Sequence, residues 1–183
     1  MKKITVITGS PRKNGNSNAL ADAFIQNAEK SGAEVTRFDA CKLNMVGCRA
    51  CNGCYKSGHA CAFEHGFDAV ADAILASDVL VFTMPVYWFT IPGQIKSIID
   101  HFYALMVGGK DVKGKHCVVL ATSGQSVDSG VYKGITNAMK GSADFLGWSY
   151  EEHFFGNMNI PGAIRETDAL SQMQELAQRL ANV

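Results

Sequence analysis

The chain has 183 residues, with 17 Lys plus Arg balanced by 17 Asp plus Glu and a formal net charge of zero. That balance excludes a nucleic-acid binder that relies on a basic surface, and one domain over residues 1–183 accounts for the length. A hydrophobic share of 47% with 19% charged residues excludes a disordered or fibrous chain, and six cysteines fall short of a disulfide scaffold, which exceeds roughly 8%.

Met1-Lys2-Lys3 leads into a short apolar stretch that stops at Gly9-Ser10-Pro11, without the long apolar region or cleavage signal of a secretory peptide. The uncharged run Val79–Ile95 contains Pro85, Pro92 and Gly93 and does not read as a membrane span. A cytoplasmic protein with no membrane or nucleic-acid partner is expected. In a reducing compartment, clustered cysteines point to metal binding or redox chemistry instead of structural disulfides.

Lys3–Thr8 reads as a buried strand, followed by a helix over Asn18–Ser31 with Leu20, Ala23, Phe24, Asn27 and Ala28 at helical spacing and Gly32 as its stop. Glu34–Phe38 is a second strand. Asp39–Gly66 is a long irregular segment, and loops of that length inside compact domains are usually functional. Phe67–Ala76 is predicted helical, and Val79–Phe82 is the continuous apolar run of a parallel strand covered on both faces. A helix from Gly93 to about Leu105 sets Ile95, Ile98, Ile99, Phe102 and Leu105 on one face. Lys115–Thr122 is a fourth strand, Gly130–Leu146 a helix, and Tyr150–Phe155 a short fifth strand. The last helix, Thr167–Asn182, has Thr167 as candidate N-cap and Leu170, Met173, Leu176, Ala177 and Leu180 at core spacing. This alternation predicts an α/β fold, a doubly wound five-stranded parallel sheet with helices on both faces. Such sheets bind ligands outside the carboxyl ends of the strands, at the switch point.

The loop after the first strand, Gly9-Ser10-Pro11-Arg12-Lys13-Asn14-Gly15-Asn16-Ser17, suits a phosphate. Backbone N–H groups at a helix N-terminus point at an anion, the helix dipole favours it, and small residues permit close approach. The loop is neither G-x-G-x-x-G nor a Walker A sequence. A polar turn with Ser17 as helix N-cap is the alternative. Gly9-Ser10-Pro11-Arg12 with Gly15-Asn16-Ser17, followed by Pro85-Val86-Tyr87-Trp88 after the third strand, closely resembles the flavodoxin-like NAD(P)H-dependent FMN reductases and their relatives, the iron–sulfur flavoproteins. The resemblance covers nearly the whole chain in element order. It implies a flavodoxin-like fold whose first loop holds the FMN phosphate through Ser10, Arg12, Asn16 and Ser17.

Pro85-Val86-Tyr87-Trp88-Phe89-Thr90-Ile91-Pro92-Gly93 sets three aromatics between two prolines. A stiff loop of this kind offers the flat apolar surface and backbone hydrogen-bonding groups that an isoalloxazine ring needs; the alternative is that Tyr87, Trp88 and Phe89 extend the core. In the family this stretch wraps the ring, which implies that role for Pro85, Val86, Tyr87 and Trp88. After strand four, amides of Ser123 and Gly124 could stabilise negative charge near flavin N1, or the Ser/Gly sequence is simply a loop.

Cys48-x2-Cys51-x2-Cys54-x6-Cys61 has the close spacing by which ferredoxin-type loops hold a cubane. Gly47, Gly53 and Gly58 give the chain room to fold around it, and Arg49 and Lys56 would favour thiolates. Zinc fits less well, since four-cysteine zinc folds use a longer interval between knuckles. All four positions match the compact cysteine motif of the iron–sulfur flavoproteins, which implies a [4Fe-4S] cluster on Cys48, Cys51, Cys54 and Cys61; free or redox-active thiols are the alternative. Cys117 is expected as a small buried side chain. His59, His65, His101, His116 and His153 show no H-x3-H or Glu-paired spacing and are expected to ligate nothing. No G-x-S-x-G occurs, which excludes a nucleophile elbow.

The expected protein is therefore an FMN-dependent NAD(P)H oxidoreductase with no catalytic side chain, passing electrons to a small-molecule or protein acceptor. The alternatives are an iron–sulfur electron carrier and, further off, a thiol-based sensor. The family implies a homodimer or homotetramer.

Overall fold

Five runs rich in β-branched and apolar residues pair into one sheet in the computed structural model, which describes residues 1–182 and leaves position 183, the end of the expected domain, outside them. The strands are β1 (Lys3–Thr8), β2 (Glu34–Asp39), β3 (Val79–Pro85), β4 (His116–Thr122) and β5 (Ser149–Phe155). Their order is β2-β1-β3-β4-β5, and every pairing is parallel. The helices are α1 (Asn16–Lys30), α2 (Phe67–Ala76), α3 (Gly93–Asp100), α4 (Phe102–Val107), α5 (Lys133–Leu146) and α6 (Ala169–Ala181). No helix among the described residues is long and apolar enough to cross a membrane.

Alternation along the strands divides the core. Ile4, Val6, Val79, Val81, Val118 and Leu120 pack with Leu20 and Phe24 of α1 and Met173 and Leu176 of α6. Ile7, Leu80, Phe82, Met84 and Val119 face the other way, onto Val70, Ile98, Leu105 and Ile135 of α2 to α5. Successive side chains point to opposite faces, so an unbroken apolar run is what a strand covered on both sides requires. Cys117 takes its expected place, and burial pushes its thiol up to about 12. Trp148 is 5% exposed; its ring meets Phe102 edge-on with centroids 5.6 Å apart.

Several boundaries depart from the sequence reading, four of them for evident local reasons. β3 runs on to Pro85, because Met84 and Pro85 still pair with Ala121 and Thr122. Val86 N–H donates to Thr122 O at 2.8 Å, so the N–H that proline lacks would face the other side, where β1 has already ended. The expected helix Gly93–Leu105 breaks at His101. Its N–H donates to Ile98 O at 3.1 Å, while its own ring Nδ1 lies 2.7 Å from Ser97 O, the carbonyl a continuing helix would have given to the backbone. Finally, α1 begins two residues early with Gly15 at the N-cap and no side-chain cap, so Ser17 is not the cap. α6 begins at Ala169, yet Thr167 still serves its start: its Oγ1 accepts from Ala169 N–H at 3.2 Å.

Asp39 closes the carboxyl end of β2. Burial by itself raises its carboxyl, but hydrogen bonds donated by Lys42 Nζ (2.5 Å), Arg37 Nε (2.8 Å) and Thr8 Oγ1 (2.8 Å) more than offset this and hold it at about 2, below the usual 3.8. A carboxyl depressed in the folded state contributes stability that is complete above its unfolded pKa and is lost as pH falls through the folded one. The wild-type advantage over Asp39→Asn in urea unfolding should be constant above about pH 5 and shrink between about pH 4 and 2. An advantage that persists undiminished to pH 2 would show that Asp39 is not held in this way.

Candidate functional site

A concavity opens at the carboxyl ends of β1, β3 and β4, lined by Ser10, Arg12, Gly15, Asn16, Ser17, Pro85, Val86, Tyr87, Thr122, Ser123, Gly124, Met158, Asn159 and Pro161. Strand order changes direction between β1 and β3, so this is the switch point at which the sheet leaves a crevice. No carboxylate among the described residues lines it.

The first loop turns its carbonyls inward. Asn18 Nδ2 donates to Ser10 O (3.3 Å) and Arg12 O (2.8 Å), and Gly15 N–H donates to Arg12 O at 2.9 Å. Gln94 Nε2 holds Gly9 O at 2.5 Å, and a Cβ on Gly9 would lie 2.7 Å from Ile95 Cγ1, so the loop lies too close to α3 for a side chain there. Ala19 N–H, bonded to Gly15 O at 3.0 Å, is the first to find a partner in α1. The N–H groups before it are left for the pocket, with the positive end of the helix dipole. Ser10 and Ser17 are buried and Arg12 is exposed at the rim.

Asn16 differs from its expected role. Its Nδ2 donates to Met158 O (3.3 Å) and Ile160 O (3.0 Å), and its Oδ1 accepts from Ile164 N–H (3.1 Å). The side chain is fully used in pinning the segment after β5, and only its backbone N–H remains for an anion. That segment forms a wall the sequence reading did not assign. Met158 N–H donates to Ser123 O at 2.8 Å and Asn157 N–H to Gln125 O at 2.9 Å. The signal for it was faint: Gly156-Asn157-Met158-Asn159 has loop composition, and Asn157 adopts φ 62°. Ser123 N–H is likewise taken, by Phe155 O at 3.0 Å, so Gly124 supplies the free amide of that pair. A Cβ on Gly124 would lie 2.5 Å from Asn159 Oδ1.

Pro85, Val86 and Tyr87 form the opposite wall, but Trp88 does not line it. Tyr87 and Thr90 exchange N–H···O bonds of 3.0 and 3.1 Å across a two-residue turn in which Trp88 and Phe89 have φ 45° and 66°. Trp88 therefore points outward, 91% exposed, beside Phe89 at 64%. A left-handed backbone is costly for large side chains. Gly134 of α5 admits this hairpin, since a Cβ there would sit 2.3 Å from Phe89 O.

The four clustered cysteines line a second, small concavity. Cys48 and Cys51 are exposed, Cys54 and Cys61 half-buried, and all six cysteines of the chain are unpaired. Ala50, Asn52 and Tyr55, which alternate with the cysteines, have φ 51°, 54° and 57°. Backbone of this kind turns N–H groups into a hollow that suits an anionic centre. A Cβ on Gly53 would lie 2.6 Å from Ala62 Cβ, so the loop folds on itself. Burial raises the Cys54 thiol, and Cys61, Cys48 and Cys51 raise it further. Arg49, expected to favour thiolates, instead lies over the Phe63 ring at 4.5 Å. Four thiols gathered on left-handed backbone around one hollow are a donor set that a thiophilic metal centre fits.

No ligand role was expected for any histidine, yet two of them come close to a cysteine of the cluster. Ligand atoms of Cys61, His65 and His101 lie within 4.8 Å of one another. The Cys61-x3-His65 spacing was visible in the sequence; His101 arrives from the helix break. Burial and the neighbouring His101 lower the His65 pKa.

A profile of the flavodoxin-like fold matches residues 2–181. An iron–sulfur flavoprotein of Archaeoglobus fulgidus is 32% identical over 98 residues, which cover 54% of this chain and 44% of that protein, so the match spans less than half of the relative's length. A Bacillus subtilis protein, named as a proposed NAD(P)H-dependent FMN-containing oxidoreductase, is 25% identical over 186 residues and 97% of each chain. An NAD(P)H:quinone oxidoreductase from Methanothermobacter marburgensis shares the fold, with a TM-score of 0.78 at 18% identity over 97% of this chain and 95% of its own.

Asn16→Ala should destabilise the protein by about 3 kcal/mol, about 1 kcal/mol for each of the three hydrogen bonds it removes. Urea unfolding measures it. A loss below about 1 kcal/mol would mean that the segment after β5 is held by other contacts.

Proposed function

The chain belongs to the flavodoxin-like fold family, and from that premise we propose that it is an FMN-dependent NAD(P)H oxidoreductase built on one flavodoxin-like domain. The observation that carries this reading is the crevice at the β1/β3 switch point, with donors gathered at one end and a flat apolar wall at the other. Its chemistry fits FMN. The phosphate would be held by the Ser10 and Ser17 hydroxyls, Arg12 and the first backbone N–H groups of α1, including that of Asn16. Pro85, Val86 and Tyr87 would support the ring, and Gly124 N–H would stand at its polar edge. When bound, FMN would supply the redox chemistry, hydride transfer from NAD(P)H to N5 and electron transfer on to an acceptor. The chain's own residues bind, orient and tune; none is asked to move a proton.

The names of the relatives agree with this class: one is an FMN-containing oxidoreductase by proposal, another an iron–sulfur flavoprotein. A homodimer or homotetramer goes with the reading, and the exposed Trp88 and Phe89 beside the crevice are surface that a second copy would cover. A cytoplasmic setting suits the unpaired cysteines.

The cysteine loop supports a second reading, an electron carrier with a [4Fe-4S] cluster held by Cys48, Cys51, Cys54 and Cys61. When bound, the cluster supplies one-electron transfer. The two readings separate cleanly. A reductase bleaches its flavin with NAD(P)H even as Cys48→Ala, whereas a carrier with that substitution keeps FMN and loses reduction by its protein partner. About four iron and four sulfide per chain in protein purified without oxygen would favour the carrier.

Arg12→Ala should weaken FMN binding at least about tenfold, since a charge-assisted contact to phosphate contributes roughly 1.5 to 3 kcal/mol. Fluorescence titration reads this directly, and unchanged affinity removes Arg12 from the phosphate site. A folded wild-type protein that takes up no FMN would overturn both readings.

A further inference from the structure

We propose that Cys61, His65 and His101 form a mononuclear site for a borderline divalent cation, zinc above all, outside the FMN crevice. The site is also an alternative to a cubane on the cysteine loop, because both need the Cys61 thiolate. One ligand atom from each residue lies within 4.8 Å of the other two. Bonds of about 2.0 to 2.3 Å put tetrahedral donors roughly 3.3 to 3.8 Å apart, so side-chain shifts of about 1 Å bring the three onto one ion.

His101 is already oriented for the task. It is 3% exposed, and its Nδ1 lies 2.7 Å from Ser97 O. A carbonyl only accepts, so Nδ1 carries the proton and Nε2 keeps its lone pair. Metal-bound histidines are held in this manner, with the far ring N–H fixed on a backbone carbonyl or carboxylate. The break between α3 and α4 thus has a chemical consequence: it is what frees Ser97 O to set the tautomer.

His65 packs edge-to-face against His101 with centroids 4.7 Å apart. Its Nε2 is buried and has no hydrogen-bond partner among the described residues, an arrangement that native interiors rarely leave without a reason. Its Nδ1 accepts from Phe67 N–H at 3.2 Å. Ligation at Nε2 therefore moves the ring proton to Nδ1 and gives up that long bond. Cys61 binds as thiolate, so each ion taken up releases one proton, from the Cys61 thiol, to solvent.

One thiolate with two imidazoles selects zinc or cobalt over magnesium and calcium, which prefer oxygen. Three protein ligands leave a fourth position for water or a substrate atom, the pattern of an open site. Cys61 and His65 also line an open concavity with His59, Glu64 and Asp68, which gives the ion a way in. Asp68 steadies its wall, accepting from Ala60 N–H at 2.7 Å and meeting His59 Nδ1 at 3.0 Å.

Cobalt(II), added alone to metal-free protein without oxygen, tests the site. The decisive background is the triple variant Cys48→Ser, Cys51→Ser, Cys54→Ser, which lacks three of the four cubane thiolates; iron and sulfide analysis of the wild type judges the cluster reading separately. In that background one cobalt per chain should bind, with a thiolate charge-transfer band and the visible d–d bands of tetrahedral coordination. Adding His101→Gln or Cys61→Ser should weaken it by more than the tenfold to hundredfold that loss of an outer-shell partner costs, with the far-ultraviolet circular dichroism unchanged. No cobalt uptake by the folded triple variant would overturn the site, as would a cobalt spectrum indifferent to His101→Gln. Should wild-type protein carry a full cluster and one tetrahedral cobalt together, the shared use of Cys61 would be wrong.

Discussion

All strand pairings are parallel, and that single constraint organises the molecule. A parallel strand must be re-entered from the same end as its neighbour, so each connection crosses a face and brings a helix with it. Both faces of the sheet are then closed by α1 and α6 on one side and α2 to α5 on the other, and polar chemistry is confined to the edge where the strands end. Thr8, Pro85 and Thr122 mark that edge on three adjacent strands. The crevice lies there because β1 sends its chain towards β2 while β3 sends its chain towards β4, leaving the space between them uncovered.

Within the crevice, polar side chains divide between holding the site and facing a ligand. Asn16, Asn18 and Gln94 all direct amide N–H groups onto backbone carbonyls of the loops. In doing so they turn acceptors away from the cavity and leave backbone donors facing it. A pocket lined in this way can favour an anion through backbone dipoles without a large net charge, which is consistent with a neutral chain. The glycines serve the same end by close approach: Gly9, Gly124 and Gly134 lie where a methyl group would strike Ile95, Asn159 or the Phe89 carbonyl.

The sheet was legible because burial on both faces imposes a pattern that a sequence displays directly, as in Val79–Phe82. The crevice was legible as loops at strand ends, and most of the residues named from those loops do line it. What escaped depends on side chains that replace backbone partners or join distant segments. His101 breaks a helix whose apolar spacing continues across the break, because its ring and not the next N–H meets Ser97 O. Asn16 was read as a phosphate ligand from the loop it sits in; its partners are more than 140 positions away. Trp88 was read as facing the ring, but a turn in the left-handed region reverses the direction of its side chain, and residue type alone gives little warning of that when the residue is not glycine.

The outward turn of Trp88 has a practical consequence for optical work on this chain. Its two tryptophans stand at opposite extremes: Trp88 in solvent at the lip of the crevice, Trp148 enclosed at 5% exposure with its indole N–H donated to Val112 O. The emission spectrum is therefore a sum of a red component that senses the crevice rim and a blue component that senses the interior. In the single chain collisional quenchers reach the first and not the second, and a second copy seated on Trp88 would shield the first as well. Ligand occupancy and unfolding can then be followed in one cuvette by different parts of the same band, without a label.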